Sequence, residues 1–377
     1  MRVLVVSGIW PPDVGGPASH APDVAAFLRS RGHEVEVVIT APAAPAAEEY
    51  PVHWVARSLP KGVVHVRTGL EVARRASAAD VVYTTGMFGR SALGAALARR
   101  PYVVKLTADP AFERARRRGL VSGNVDEFQL RHGNAAVRIL RVARDAELTH
   151  AAHVFTPSSY LRDLAVGWGV EPERVSVLPN PAPPLPALPP RDELRRSFGF
   201  NGHTLAFAGR LTAQKSLRIA LEALAAVEGV NLAIAGDGDE RPAIEADVVE
   251  LGLGDRVRLL GAQPRGRVVE LFAAADASIL SSSWENFPHT VVEALAVGAP
   301  VLATATGGVG EVVRDGENGL LVPPGDSVAL AAAIRRFFDD DELRGRLRAG
   351  AAPSVARYAP GRVFAQLEDV LRRTLLP

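Results

Sequence analysis

The chain has 377 residues, with 43 basic against 42 acidic side chains, a formal charge of +1 and no cysteine. The length suggests two domains, each with a sizeable core, and the even charge leaves no global field for nucleic acid or an anionic membrane, so any anion site must be local. Without thiols, disulfides, thiolate metal sites and thiol catalysis are excluded.

The opening Met1-Arg2-Val3-Leu4-Val5-Val6-Ser7-Gly8 places an apolar run behind one Arg, but the run is short and Pro11-Pro12-Asp13 ends it. It reads as a buried parallel strand over residues 3–6 rather than a secretory leader. No stretch of about 18 apolar residues occurs, and a soluble, cytoplasmic protein is expected. Further strands are predicted at 34–39, 52–55, 81–84, 102–106 and 154–156, with helices that include 21–30 and 91–98. The alternation is that of an α/β architecture. Residues 178–190 hold seven prolines in thirteen positions, too many for helix or central strand, and form the linker. After it the pattern restarts, with strands at 204–208, 231–235, 257–260, 277–280, 300–303 and 319–321. Two doubly wound parallel-sheet domains are the economical reading. In such sheets ligands bind beyond the carboxyl ends of the strands, so chemistry is sought in the residues that follow each strand.

Gly8 to Pro17 links the first strand to the first helix without a Gly-x-Gly-x-x-Gly fingerprint, which argues against a dehydrogenase, and no P-loop is present. Gly15 and Gly16 would let the backbone approach a phosphate, or simply form a flexible loop. His20 fits a structural role as well as a functional one. Asp109 follows the fifth strand and is a candidate catalytic carboxylate; it is equally an N-cap with Pro110 at the first helical position, and the two roles can coexist. The polar runs 113–118 and 126–129 line an acceptor pocket or form solvated surface. Arg131, Arg138, Arg141 and Arg144 read as a solvated helical face rather than a lipid-docking one.

In the second half, Gly209-Arg210-Leu211-Thr212-Ala213-Gln214-Lys215 follows a strand, with a glycine for close backbone approach and two cations five positions apart. Such a pair suits a pyrophosphate, Arg gripping two oxygens and Lys supplying a point charge. Gly236-Asp237-Gly238 and Thr306-Gly307-Gly308 are glycine-rich turns to which no role is assigned. The most informative run is Glu285-Asn286-Phe287-Pro288-His289-Thr290-Val291-Val292-Glu293. Asn286 as N-cap, Pro288 in the first turn, an apolar run to Val297 and a stop at Gly298-Ala299-Pro300 predict a helix. Fully helical, the two carboxylates would stand about 12 Å apart at ~1.5 Å per residue. Between them lie the unladdered N–H groups of the first turn, an anion site. The order carboxylate, phosphate seat, carboxylate matches sugar, pyrophosphate, ribose. The other reading makes Glu285 an exposed loop acid and Glu293 half of a salt bridge with an Arg, since a buried unpaired carboxylate costs several kcal/mol.

Gly15-Gly16, Arg210-x4-Lys215 and Glu285-x7-Glu293, in that order across two α/β halves, resemble the retaining nucleotide-sugar glycosyltransferases of the GT-B fold, family 4. The resemblance covers nearly the whole chain and is most specific from Trp284 to Gly308. It implies two Rossmann-like domains with a cleft between them: an acceptor-side domain over residues 1–180, a donor domain over 181–357, and a terminal helix within 358–377 crossing back to the first. By position it implies that Arg210 and Lys215 neutralise the donor diphosphate. Glu285 and the backbone of Asn286, Phe287, Pro288 and His289 would contact the sugar. Thr290 and Val291 would give amides to phosphate, Glu293 would accept from the ribose hydroxyls, and Gln263 would meet the base. Asp109 stands where many members carry a histidine. The resemblance implies no metal or other cofactor in catalysis, since the leaving phosphate takes the acceptor's proton in front-face attack. A UDP-, GDP- or dTDP-sugar is the expected donor and a soluble small molecule, such as a natural product, the acceptor. Membrane association is not favoured, and oligomeric state carries no signal. An epimerase or hydrolase on the same architecture, or a non-catalytic sugar-nucleotide-binding subunit, are the alternatives, separated by whether diphosphate is released and whether release needs an acceptor.

Overall fold

A computed structural model describes residues 1–11, 13, 16–182 and 184–376. The chain divides into two compact units, Met1–Pro179 with Gly361–Pro377, and Asn180–Pro360.

In the first unit the strands are β1 (Arg2–Ser7), β2 (Glu34–Ala41), β3 (Val52–Ala56), β4 (Val81–Thr84), β5 (Tyr102–Lys105), β6 (His153–Thr156) and β7 (Val175–Val177). They form one parallel sheet in the order β3-β2-β1-β4-β5-β6-β7. Val3, Leu4, Val5 and Val6 are buried, because β1 lies inside the sheet with both faces covered, which is why it reads as an unbroken apolar run. The helices are α1 (Gly16–Ser30), α2 (Lys61–Ala76), α3 (Phe88–Ala98), α4 (Pro110–Arg117), α5 (Val125–Leu130), α6 (Ala135–Thr149) and α7 (Ser159–Gly167).

The second unit carries β8 (His203–Ala208), β9 (Val230–Ala235), β10 (Val257–Gly261), β11 (Ala277–Leu280), β12 (Val301–Thr304) and β13 (Gly319–Val322). They pair in parallel in the order β10-β9-β8-β11-β12-β13. The helices are α8 (Arg191–Phe198), α9 (Leu217–Ala225), α10 (Arg241–Glu250), α11 (Arg265–Ala274), α12 (His289–Ala296), α13 (Val309–Val312), α14 (Ser327–Asp339) and α15 (Asp341–Ser354). One core spans this unit, from Leu194 to Tyr358. The strand order reverses between β8 and β11, so the crevice at their carboxyl ends is the topological switch point where a ligand site is expected.

The last helix, α16 (Pro360–Arg373), packs Val363, Phe364, Leu367, Val370 and Leu371 into the same core as Val3, Val5 and Val37. Among the described residues no helix is long and apolar enough to cross a membrane.

Candidate functional site

At the end of β8, Gly209 gives its N–H to the Ala235 carbonyl over 3.0 Å. A Cβ on Gly236 would lie 1.9 Å from the Gly209 oxygen, so the turns after β8 and β9 meet backbone to backbone and admit only glycine there. Arg210, next in sequence, is exposed and makes no hydrogen bond or ion pair with any described residue. A short 3-10 turn, Ala213–Lys215, then turns the chain inward. Lys215 Nζ lies 2.5 Å from Glu285 Oε1, with the two side chains only 17% and 8% exposed. The Ser282 hydroxyl donates to the same oxygen over 2.7 Å. Two of the sequence-predicted residues, 70 positions apart, therefore form one partly buried charge pair.

The loop that carries Glu285 is held from both sides. From the β8 side, the Gln214 amide donates to the Trp284 carbonyl over 2.7 Å, and the Ser281 hydroxyl donates to the Lys215 carbonyl over 3.0 Å. From the β12 side, the Thr304 and Thr306 hydroxyls donate to the carbonyls of Ser282 and Ser283 over 2.6 and 3.0 Å. The Gly308 N–H reaches the Glu285 carbonyl over 2.9 Å. Gln214, Thr304, Thr306, Gly307 and Gly308 are thus part of the site although sequence reasoning assigned them no role. The signal was present as three consecutive serines after β11 and the Thr-x-Thr that ends β12.

α12 begins later than expected. Its N-cap is Pro288, in extended conformation, rather than Asn286. Proline has no N–H to lose and its carbonyl starts the ladder by accepting from Val291 and Val292. The amides of His289 and Thr290 precede that ladder, where the helix dipole favours an anion. Phe287 packs its ring edgewise on Tyr358 and His289 at 5.6 and 5.8 Å between centroids. Asn180 Nδ2 lies 2.9 Å from His289 Nε2.

Glu293 is 7% exposed and both Arg265 Nε and Nη2 lie 3.0 Å from its Oε1. The salt-bridge reading of Glu293 is therefore the geometry seen. Burial pushes its carboxyl above the ordinary range, and Arg265 only partly opposes that. Arg265 is half exposed and opens α11, two residues after Gln263, whose amide donates to the Leu260 carbonyl over 2.6 Å.

The first unit requires a correction. Asp109 is 1% exposed and all of its acceptor capacity is used. Oδ1 caps α4 by accepting from Ala111 and Phe112, and Oδ2 accepts from Gln129 over 3.0 Å and Arg144 over 2.9 Å. The N-cap reading holds, and the carboxylate is sealed in a structural cluster rather than presented for catalysis. Arg144, expected on a solvated face, is instead buried and stacks over Trp168 at 4.0 Å. Gly15 lies outside the described residues, and Gly16 is the first residue of α1. His20 Nε2 is 2.8 Å from the buried Tyr83 hydroxyl. Lys105, fully buried at the end of β5, donates to the Leu178 carbonyl, and burial lowers its pKa to about 7.

Residues 190–352 match the family described as "Glycosyl transferases group 1", and residues 15–181 match "Glycosyl transferase 4-like domain". Among curated relatives, the alpha-D-kanosaminyltransferase of Streptomyces kanamyceticus is 30% identical over 48% of this chain and 49% of that protein. A D-inositol 3-phosphate glycosyltransferase of Thermomonospora curvata is 31% identical over 60% and 58%. The chain thus spans about half the length of these relatives. The phosphatidyl-myo-inositol mannosyltransferase of Mycobacterium leprae is 29% identical over 94% and 92%. Of solved structures, Anabaena Alr3699/HepE in complex with UDP superposes with a TM-score of 0.80 at 22% identity, over 99% of this chain and all of that one. That likeness is one of fold.

Proposed function

The chain belongs to the GT-B glycosyltransferases of the family-4 type, and from that premise we propose that it transfers a sugar from a nucleoside diphosphate sugar to an acceptor with retention at the anomeric carbon. The observation that carries this reading is the Lys215–Glu285 pair at the switch point of the second sheet, with Arg210, exposed and unpaired among the described residues, on the same turn. An exposed cation with no partner among the described residues, on the same turn as a lysine held by one carboxylate oxygen, is arranged to receive a diphosphate. Arg210, Lys215 and the amide of Thr290 take the phosphates; the Val291 amide, expected beside it, is given instead to the Pro288 carbonyl. Glu285 accepts from sugar hydroxyls, supported by backbone from Asn286 to His289. Glu293 takes the ribose hydroxyls, exchanging Arg265 for them, and Gln263 meets the base.

In the reaction the acceptor oxygen bonds the anomeric carbon on the face from which the diphosphate departs. The bond from that carbon to the phosphate oxygen breaks, and the acceptor's proton passes to the leaving phosphate. No side chain is needed as general base in this scheme and no metal is invoked, so the sealed position of Asp109 is no obstacle. Arg210 and Lys215 stabilise the charge that develops on the leaving group, an effect typically worth 10²–10³ in turnover for one donor. The donor is a UDP-, GDP- or dTDP-sugar, and the even charge balance supports a soluble acceptor.

A thermal-shift screen against UDP, GDP, dTDP and ADP identifies the nucleotide, and diphosphate release with and without candidate acceptors identifies transfer. Lys215→Ala is expected to lower turnover by about 10²-fold while changing nucleotide affinity far less. Equal losses in both would remove Lys215 from the leaving-group role, and release independent of any acceptor would replace transfer with hydrolysis.

A further inference from the structure

We propose that Ser282 is a positioning residue for the donor sugar, fixing the Glu285 carboxylate so that Oε1 is kept by the protein and Oε2 is left for a sugar hydroxyl. The proposal rests on the reading of Glu285 as the sugar contact. Oε1 takes the Ser282 hydroxyl over 2.7 Å and the Lys215 ammonium over 2.5 Å. Oε2 accepts from no described residue, although Glu285 is only 6% exposed. A carboxylate can accept at both oxygens, and a largely buried acceptor is costly until something donates to it. A ligand hydroxyl at Oε2 removes that cost.

Lys215 alone does not fix the orientation of the acid. Its ammonium is a point charge on a flexible stem, and it also serves the diphosphate. Serine is short, with one side-chain rotor, and Ser282 is fully buried. Its main chain is fastened as well, because the Ser282 carbonyl accepts from the buried Thr304 hydroxyl over 2.6 Å. The serines on either side turn elsewhere. The Ser281 hydroxyl donates to the Lys215 carbonyl over 3.0 Å and the Ser283 hydroxyl to the Gln214 carbonyl over 3.2 Å. Side chains two apart thus go to the turn after β8 and the one between them goes to Glu285, the alternation of an extended segment. A buried hydroxyl adds little to a core that alanine would not; a directed donor to Glu285 explains the serine. With two donors on Oε1 the plane of the carboxylate is set, and Oε2 stays aimed when Lys215 turns to phosphate.

The test separates the sugar end of the donor from its nucleotide end. Calorimetry on the full chain measures affinity for UDP and UDP-glucose, or for the nucleotide and nucleotide sugar that bind tightest, in the wild type, Ser282→Ala, Glu285→Ala and the double variant. Ser282→Ala is expected to weaken binding of the nucleotide sugar about tenfold while leaving that of the bare nucleotide within about twofold. The double variant is expected to bind the nucleotide sugar like Glu285→Ala alone. Ser282→Cys keeps the volume but donates weakly, so it is expected to show the same selective loss and carries the test if the alanine variant does not fold. Equal losses for nucleotide and nucleotide sugar, or losses that add in the double variant, would overturn the proposal by showing that Ser282 acts on the fold rather than through Glu285. A wild type that binds no nucleotide removes the donor-site reading and this proposal with it, whereas a wild type that binds, with the ratio of the two affinities unchanged in both Ser282 variants, overturns the proposal alone.

Discussion

Glu293 is a carboxylate that the fold keeps at a loss. It sits among Val291, Val292, Ala294 and Leu295, burial raises its pKa, and its one charged partner among the described residues is an arginine half in water. For an acid the sign is clear: a folded pKa above the unfolded one means that ionised Glu293 opposes folding at neutral pH. Glu293→Gln is therefore expected to leave thermal stability unchanged or raise it slightly, since Arg265 can be resolvated, while weakening nucleotide binding about tenfold through the lost ribose acceptor. Calorimetry and thermal unfolding on the same sample decide this; a destabilised variant with intact affinity would make Glu293 a structural residue. The carboxylate spacing was legible because both residues lie on one local run, and burial of Glu293 followed from its apolar neighbours. Asp109 was not decidable in the same way. Its local context fitted a cap and a catalytic acid alike, and what settles the matter is two partners, Gln129 and Arg144, brought from 20 and 35 positions away. Charge spacing on α6 could not show that Arg144 turns inward onto Trp168.

The loop between β11 and α12 is shaped by its neighbours more than by its own sequence. Its tightest contact is with the turn after β12, where Gly307 has φ +50° and a Cβ would stand 1.8 Å from the Glu285 carbonyl oxygen. Gly307→Ala has to displace the Glu285 backbone as well as occupy left-handed space. It is expected to cost about 1–3 kcal/mol of stability and to lower turnover more than ten-fold by moving Glu285 away from Lys215. Gly310→Ala, three residues on in α13, meets nothing within 4 Å and is the control expected to retain activity. Retained activity in Gly307→Ala would show that the Glu285 loop tolerates displacement. The strands of both sheets were readable as apolar runs because most are buried on both faces, whereas β7, three residues at a sheet edge, is too short to give such a signal. The start of α12 was misplaced by two residues because a good N-cap side chain, Asn286, precedes a proline that takes the cap through its backbone.

Across the whole molecule, the first unit is assembled from both ends of the chain, and one carboxylate fastens them. Glu368, on α16, is 3% exposed at its side chain and takes hydrogen bonds from Arg31 at 3.1 Å, His33 at 2.9 Å and Arg372 at 2.8 Å. Burial alone would raise its pKa, but the bonds from Arg372, His33 and Arg31 together outweigh burial and hold it at about 2 instead of 4.5. The folded pKa lies below the unfolded one, so this stabilisation is complete above pH 4.5 and is lost as pH falls toward 2. At ~1.4 kcal/mol per pKa unit, discounted because both arginines are more than half exposed, the cluster contributes about 1–3 kcal/mol. Glu368→Gln should lower the unfolding free energy by about that amount at pH 7 and flatten the acid-induced loss between pH 4.5 and 2 that the wild type shows. Glu250→Gln, which removes a carboxylate paired with Arg218 at the surface, is the comparison expected to leave the unfolding midpoint where it is. Denaturant unfolding at several pH values measures both, and an acid dependence unaltered in Glu368→Gln would mean that other carboxylates govern the attachment of α16.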